Sequence, residues 1–122
     1  MADILIADDD PEILRLLEKA FTIRGHKVVV ARDGEEAVDH AKSKRFDVII
    51  TDIIMPKKAG IETILELKIL YPDIKIIAIS GGGRKGNMDF LRMAELIGAT
   101  DVLAKPFEPK ELLDKVENCL AS

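Results

Sequence analysis

The chain has 122 residues, of which 48% are hydrophobic and 33% charged, and its net charge is −4. That length and apolar content fit one globular domain with a core of its own. The acidic balance speaks against nucleic acid or an anionic membrane as a direct partner, since both need a basic footprint.

No apolar run approaches the roughly 20 residues that span a bilayer. The opening MADILIADDD carries neither the basic region nor the cleavage site of a secretory signal, and Cys119 is the sole cysteine. These features point to the cytoplasm.

In chain order, apolar runs and amphipathic stretches alternate five times. ILIA (4–7), VVVA (28–31), DVIIT (47–51), IKIIAIS (74–80) and DVLA (101–104) read as strands. They are short, β-branched and not interrupted by polar alternation, as strands of a parallel sheet covered on both faces should be. The intervening stretches have helical spacing. Ile13, Leu16, Leu17, Ala20 and Phe21 form the first stripe, and Ala37, Val38 and Ala41 the second. Ile61, Ile64, Leu65 and Ile69 form the third, Phe90, Met93, Ala94 and Ile97 the fourth, and Leu112, Leu113, Val116 and Leu120 the fifth. Gly25, Pro72 and Gly98 stand where helices stop, and Pro11 and Pro109 where helices start. The pattern is (βα)5, one doubly wound domain over residues 1–122. Its right-handed crossovers make the sheet parallel and put ligands beyond the carboxyl ends of the strands.

Four of those five ends carry a polar group. The first strand ends in Asp8 and Asp9, the third in Asp52, the fourth in Ser80 and the fifth in Lys105. Two unit charges about 4 Å apart repel by about 4 kcal/mol at an effective dielectric near 20, so grouped carboxylates imply a compensating cation. Mg²⁺ takes oxygen ligands and keeps waters and phosphate oxygens alongside one or two carboxylates. A lysine meets a phosphate oxygen as a point charge, a hydroxyl can donate to it, and a carboxylate can itself be the nucleophile. Together these groups serve phosphoryl transfer, where the protein's share is positioning and charge neutralisation. Asp10, before Pro11, reads as the cap of the first helix. His26 and His40 read as surface residues, and Cys119 as a partly buried thiol.

The motifs LIADDD, DVIITDIIMPKKAG, IIAIS and GATDVLAKPF resemble those of two-component response-regulator receiver domains over essentially the whole chain. The resemblance implies a flavodoxin-like strand order of 2-1-3-4-5. It implies that Asp52 accepts a phosphoryl group from a sensor histidine kinase or phosphotransfer protein. It also implies that Asp8, Asp9, Asp52 and the backbone carbonyl of Ile54 hold Mg²⁺, with Asp8 acting through water. Ser80 and Lys105 would then bind the phosphoryl oxygens, and the Lys105–Pro106 peptide would be cis. Such a domain is not an enzyme in the ordinary sense, but a phosphoacceptor that promotes its own phosphorylation and dephosphorylation.

A switch should follow from this, carried by the GGGRKG loop (81–86) to the face of the fourth helix, fifth strand and fifth helix. That face would meet a downstream protein target or a second copy of the chain. Receivers usually place Tyr or Phe three residues before the lysine, where this chain has Val102, which shifts the expected coupling from ring rotation to the loop. With the chain stopping after the fifth helix, no direct DNA binding is expected, and no membrane contact. Two other readings use the same fold. A metal-dependent phosphatase would need a second acid two residues beyond Asp52, where Ile54 stands. A nucleotide or flavin module would use Gly81, Gly83 and Gly86, which match G-x-G-x-x-G but follow the fourth strand instead of the first.

Overall fold

The computed structural model describes residues 2–54, 60–80 and 87–121, without the side chains of residues 87–91. Five strands and five helices alternate: β1 Asp3–Ala7, α1 Pro11–Ile23, β2 Lys27–Ala31, α2 Gly34–Ser43, β3 Val48–Asp52, α3 Gly60–Leu70, β4 Lys75–Ser80, α4 Asn87–Leu96, β5 Asp101–Ala104 and α5 Pro109–Ala121. All strand pairs are parallel, and the order is β2-β1-β3-β4-β5. The flavodoxin-like order implied by the resemblance is the one observed, and each strand boundary lies within one residue of the apolar run read from the sequence.

The unbroken apolar runs reflect burial on both faces of the sheet. Successive side chains point to opposite faces. Ile4, Ile6, Val48, Ile50, Ile77 and Ile79 therefore meet α1 and α5 on one side. Leu5, Ala7, Ile49, Ile76 and Ala78 pack on the other side with Ala37, Val38 and Ala41 of α2, Ile64 and Leu67 of α3 and Ala94 of α4. Asp10 caps α1 by accepting from the Glu12 amide at 2.9 Å, and Asp33 caps α2 by accepting from Glu36 at 2.8 Å. At the far ends of α1 and α4, Gly25 and Gly98 take φ of 91° and 117°, values that favour glycine.

Four helix stripes sit differently from their expected positions; in α4, Ala94 is buried but Met93 is exposed. In α1 the buried set is Leu14, Leu17 and Phe21, and Leu16 is 55% exposed. Leu16 instead borders an apolar cleft of about 210 Å³ formed with Ile13, Pro106, Phe107 and Pro109. In α3 Thr63 and Leu67 join Ile64 in the core, while Leu65 and Ile69 face outward. In α5 Cys119, not Leu120, is buried. Each helix touches the sheet along one narrow line, and several apolar residues beside that line are left over. His26 is likewise not a surface residue. It is buried between α1 and β2, its Nδ1 accepts from the Ala2 amide at 3.2 Å, and its ring leans on Phe21.

Candidate functional site

Parallel register brings the polar strand ends to one edge. Asp8 continues β1, its amide donating to the Ala31 carbonyl at 3.0 Å. On β3, Asp52 pairs with Ile79 of β4, and the next β4 residue, Ser80, pairs with Ala104 of β5. The Lys105 amide donates to the Ser80 carbonyl at 2.8 Å, so the lysine enters from the adjoining strand. The Lys105–Pro106 peptide is cis, as the resemblance implied.

The side chains meet there. Lys105 Nζ donates to Asp8 Oδ2 at 2.9 Å and to Asp52 Oδ2 at 2.8 Å. The remaining oxygens are held by backbone. Asp8 Oδ1 accepts from the Asp10 amide at 2.9 Å, and Asp52 Oδ1 from the Ile54 amide at 3.1 Å. Asp8 and Asp52 are buried and Asp9 is exposed. Carboxylate oxygens of Asp8, Asp9 and Asp52 lie within 4.8 Å of one another. Three hard oxygen donors at that spacing suit a cation of the Mg²⁺ type, and Asp9 leaves the cluster open to solvent.

Burial pushes the Asp8 carboxyl above its ordinary range, with the neighbouring Asp52 charge adding to the rise and bonds from the Asp10 amide and Lys105 only partly opposing it. For Lys105, burial alone acts downward. Its hydrogen bonds to Asp52 and Asp8 and their charges outweigh that and hold the ammonium above its usual value. Asp8 moves up despite its cationic partner because burial, with the charge of Asp52 added, outweighs the lysine's attraction. Ser80 Oγ is fully buried and has no hydrogen-bond partner among the described residues. A buried hydroxyl left unpaired costs about 1–3 kcal/mol, and a tetrahedral anion beside it would supply the missing acceptor.

All five side chains singled out at the strand ends (Asp8, Asp9, Asp52, Ser80 and Lys105) therefore stand at one edge of the sheet. Of Ile54, the amide is engaged by Asp52, while its side chain is 54% exposed. Val102 is half-buried and packs on the α2–α4 side of the core. The GGGRKG loop, which carries the expected switch and the G-x-G-x-x-G match, lies outside the described residues, and so does the Phe90 side chain. Sequence reasoning gives no role to Gly60, the first residue of α3. Its signal is a helix-initiating glycine within the motif that follows Asp52.

The model of the family described as "Response regulator receiver domain" matches residues 4–117. Transcriptional regulatory protein CpxR of Escherichia coli K12 is 36% identical over 120 residues, covering 98% of this chain and 50% of CpxR. The DNA-binding transcriptional regulator NtrC of Azospirillum brasilense is 36% identical over 121 residues, 99% of this chain and 24% of that protein. Among solved structures, a response regulator receiver domain protein of Clostridium thermocellum superposes with a TM-score of 0.91 at 29% identity, covering 99% of this chain and 95% of its own. The chemotaxis protein CheY4 of Vibrio cholerae superposes with 0.88 at 31% identity, covering 98% and 99%.

The chain thus spans about half the length, or less, of these curated relatives. The expectation that direct DNA binding is excluded is corrected by this finding. The charge and length of these residues carry no information about the segments that the longer relatives have beyond the matched part. No helix among the described residues is long and apolar enough to cross a membrane.

Proposed function

Because the chain belongs to the response regulator receiver domain family of two-component systems, we propose that Asp52 is the residue its signalling acts on, accepting a phosphoryl group from a phosphohistidine of a sensor kinase or phosphotransfer protein. The observation that carries this reading is the convergence of three carboxylates within 4.8 Å with one lysine bridging Asp8 and Asp52. Asp8, Asp9, Asp52 and the Ile54 carbonyl would hold Mg²⁺, which when bound neutralises charge on the carboxylates and on the phosphoryl oxygens.

The chain's own residues do the rest. Asp52 presents a carboxylate oxygen whose lone pair forms the new O–P bond. The P–N bond to the donor imidazole breaks, and the departing nitrogen keeps that electron pair. Lys105 exchanges one of its carboxylate partners for a phosphoryl oxygen and remains charged throughout, because its pKa is held high. Ser80 donates its unused hydroxyl hydrogen to a second phosphoryl oxygen. The phosphoryl group brings close to two negative charges and three strong acceptors to the carboxyl end of β4, and with them a reason for the backbone after Ser80 to rearrange. The change would reach the face of α4, β5 and α5. Hydrolysis at the same site would return the domain to its starting state.

We place this activity in the cytoplasm, in one domain formed by residues 1–122. The half-length matches to transcriptional regulators support transcription as the process it switches. Intact mass after incubation with acetyl phosphate and Mg²⁺ tests the chemistry. The expected result is a gain of one phosphoryl group in the parent and none in Asp52→Ala. A parent that gains none, or a variant that gains as much, would overturn it.

A further inference from the structure

One peptide unit beside the site is held at both of its polar atoms. The Ile53 carbonyl accepts from the Gly60 amide at 2.8 Å, and the Ile54 amide of that same unit donates to Asp52 Oδ1 at 3.1 Å. The other Asp52 oxygen is held by Lys105 at 2.8 Å. The carboxylate is therefore fixed from two directions, by a lysine on one side and by a chain of two hydrogen bonds that begins at residue 60 on the other.

That second chain needs a residue without a side chain. A Cβ on Gly60 would stand 2.3 Å from the Asp52 carbonyl oxygen, 2.4 Å from Ile53 Cα and 2.9 Å from the Ile53 carbonyl oxygen. All three neighbours are backbone and cannot swing aside as the end of a flexible side chain can. Gly60 is buried at the first turn of α3, so the helix begins directly against the backbone of the residue that carries the nucleophile. Positive φ is recorded at Gly25 and Gly98, whereas at Gly60 it is neighbouring backbone that fills the space of a side chain. Close approach is what excludes other residues there.

We infer that Gly60 is a positioning residue for the phosphoacceptor: its missing side chain and its amide together hold the 53–54 peptide that orients the Asp52 carboxylate. Any larger residue must push α3 away from β3 or tilt that peptide, and either movement displaces Oδ1. The same displacement disturbs the backbone at Ile54, whose carbonyl the proposed metal site uses. This inference deepens the reading of Asp52 as the phosphoacceptor and rests on it.

The test compares Gly60→Ala with Gly98→Ala. Gly98 has positive φ, and the nearest atoms to a Cβ there belong to the Lys68 side chain, at 3.0 Å and beyond, not to backbone. It is a backbone-strain control far from the carboxylates. Two quantities are read on each folded protein: the affinity for Mn²⁺ without any phosphodonor, and the rate of phosphorylation by acetyl phosphate at saturating metal. Gly60→Ala is expected to lose about tenfold in each, the scale of one lost hydrogen bond or a misplaced reacting group. Gly98→Ala is expected to keep both while its unfolding midpoint falls. Parent-like affinity and rate in Gly60→Ala would overturn the inference, and so would equal losses in both variants. A parent that binds Mn²⁺ but takes no phosphoryl group would instead sink the phosphoacceptor reading, leaving Mn²⁺ affinity to decide the role of Gly60. If Gly60→Ala does not fold, amide hydrogen exchange in the parent decides. The Gly60 and Ile54 protons must both exchange about 100-fold or more slowly than open-chain amides, and free exchange at either defeats the clamp.

Discussion

Replacing Lys105 by alanine tests the electrostatics of the site most directly. Its ammonium touches Asp8 and Asp52, whose side chains are only 2% and 5% exposed, and the lysine itself is 17% exposed. Removing one partner of a buried ionic cluster costs about 3–5 kcal/mol, because the charges left behind are neither solvated nor neutralised. The lower end applies here, since Asp9 leaves a solvent path and Asp8 can escape by taking a proton. A carboxyl whose folded pKa lies above its unfolded value makes the native state bind more protons. Its contribution therefore falls as pH rises through that interval. Asp8 is already raised by burial, and without Lys105 the interval extends further upward.

In EDTA at about pH 8 the expected loss is about 3 kcal/mol, or roughly 10 °C in Tm for a domain of this size. At about pH 5 the loss should shrink to less than half. Excess Mg²⁺ should restore more stability to the variant than it adds to the parent, since the lysine no longer competes for the carboxylates, and bound ligand stabilises by RT ln(1 + [L]/Kd). Thermal unfolding followed by circular dichroism measures all of this. A Tm within about 2 °C of the parent at both pH values, with equal gains from Mg²⁺, would refute the reasoning.

Ser80→Ala removes a buried hydroxyl that has no partner among the described residues, so the unmodified protein should be as stable as the parent or up to about 1 kcal/mol more stable. Phosphorylation by acetyl phosphate should nevertheless slow by about tenfold; a normal rate would deny the hydroxyl its proposed role. Ile54 is half-exposed beside Asp52 and can screen the acyl phosphate from water. Ile54→Asn is therefore expected to shorten its lifetime severalfold, as read by loss of radiolabel, and an unchanged lifetime removes that assignment. Lys105 carries a raised pKa, so its contribution is complete below the ordinary 10.5 and is lost as pH climbs through the higher folded value. Stability curves of parent and Lys105→Met should converge in that alkaline range, and curves that stay parallel would contradict the pairing.

The succession of elements was legible in the order of the residues. Five short apolar runs without polar alternation, separated by amphipathic stretches of helical spacing, read as strands buried on both faces and joined by crossover helices. That succession also determined which residues stand at the carboxyl edge, because a strand's last residue is legible once the strand is. Asp8, Asp9, Asp52, Ser80 and Lys105 were all readable on that ground. The strand order 2-1-3-4-5 was not, since local periodicity carries no information about neighbours in the sheet, and it came from resemblance alone. Helix faces were readable only to within one residue. Leu16, Leu65, Ile69 and Leu120 are as apolar as their buried neighbours, and the line of contact with the sheet decides between them.

The pairing inside the site was not legible in that way and emerges with the folded chain. That Lys105 spans Asp8 and Asp52, that the Ser80 hydroxyl is buried without a partner among the described residues and that His26 is buried against Ala2 all depend on how distant segments meet. Gly60 shows the limit most clearly. A glycine at a helix start looks the same in sequence whether it is incidental or required, and only the backbone of Asp52 and Ile53, packed where its Cβ would be, distinguishes the two.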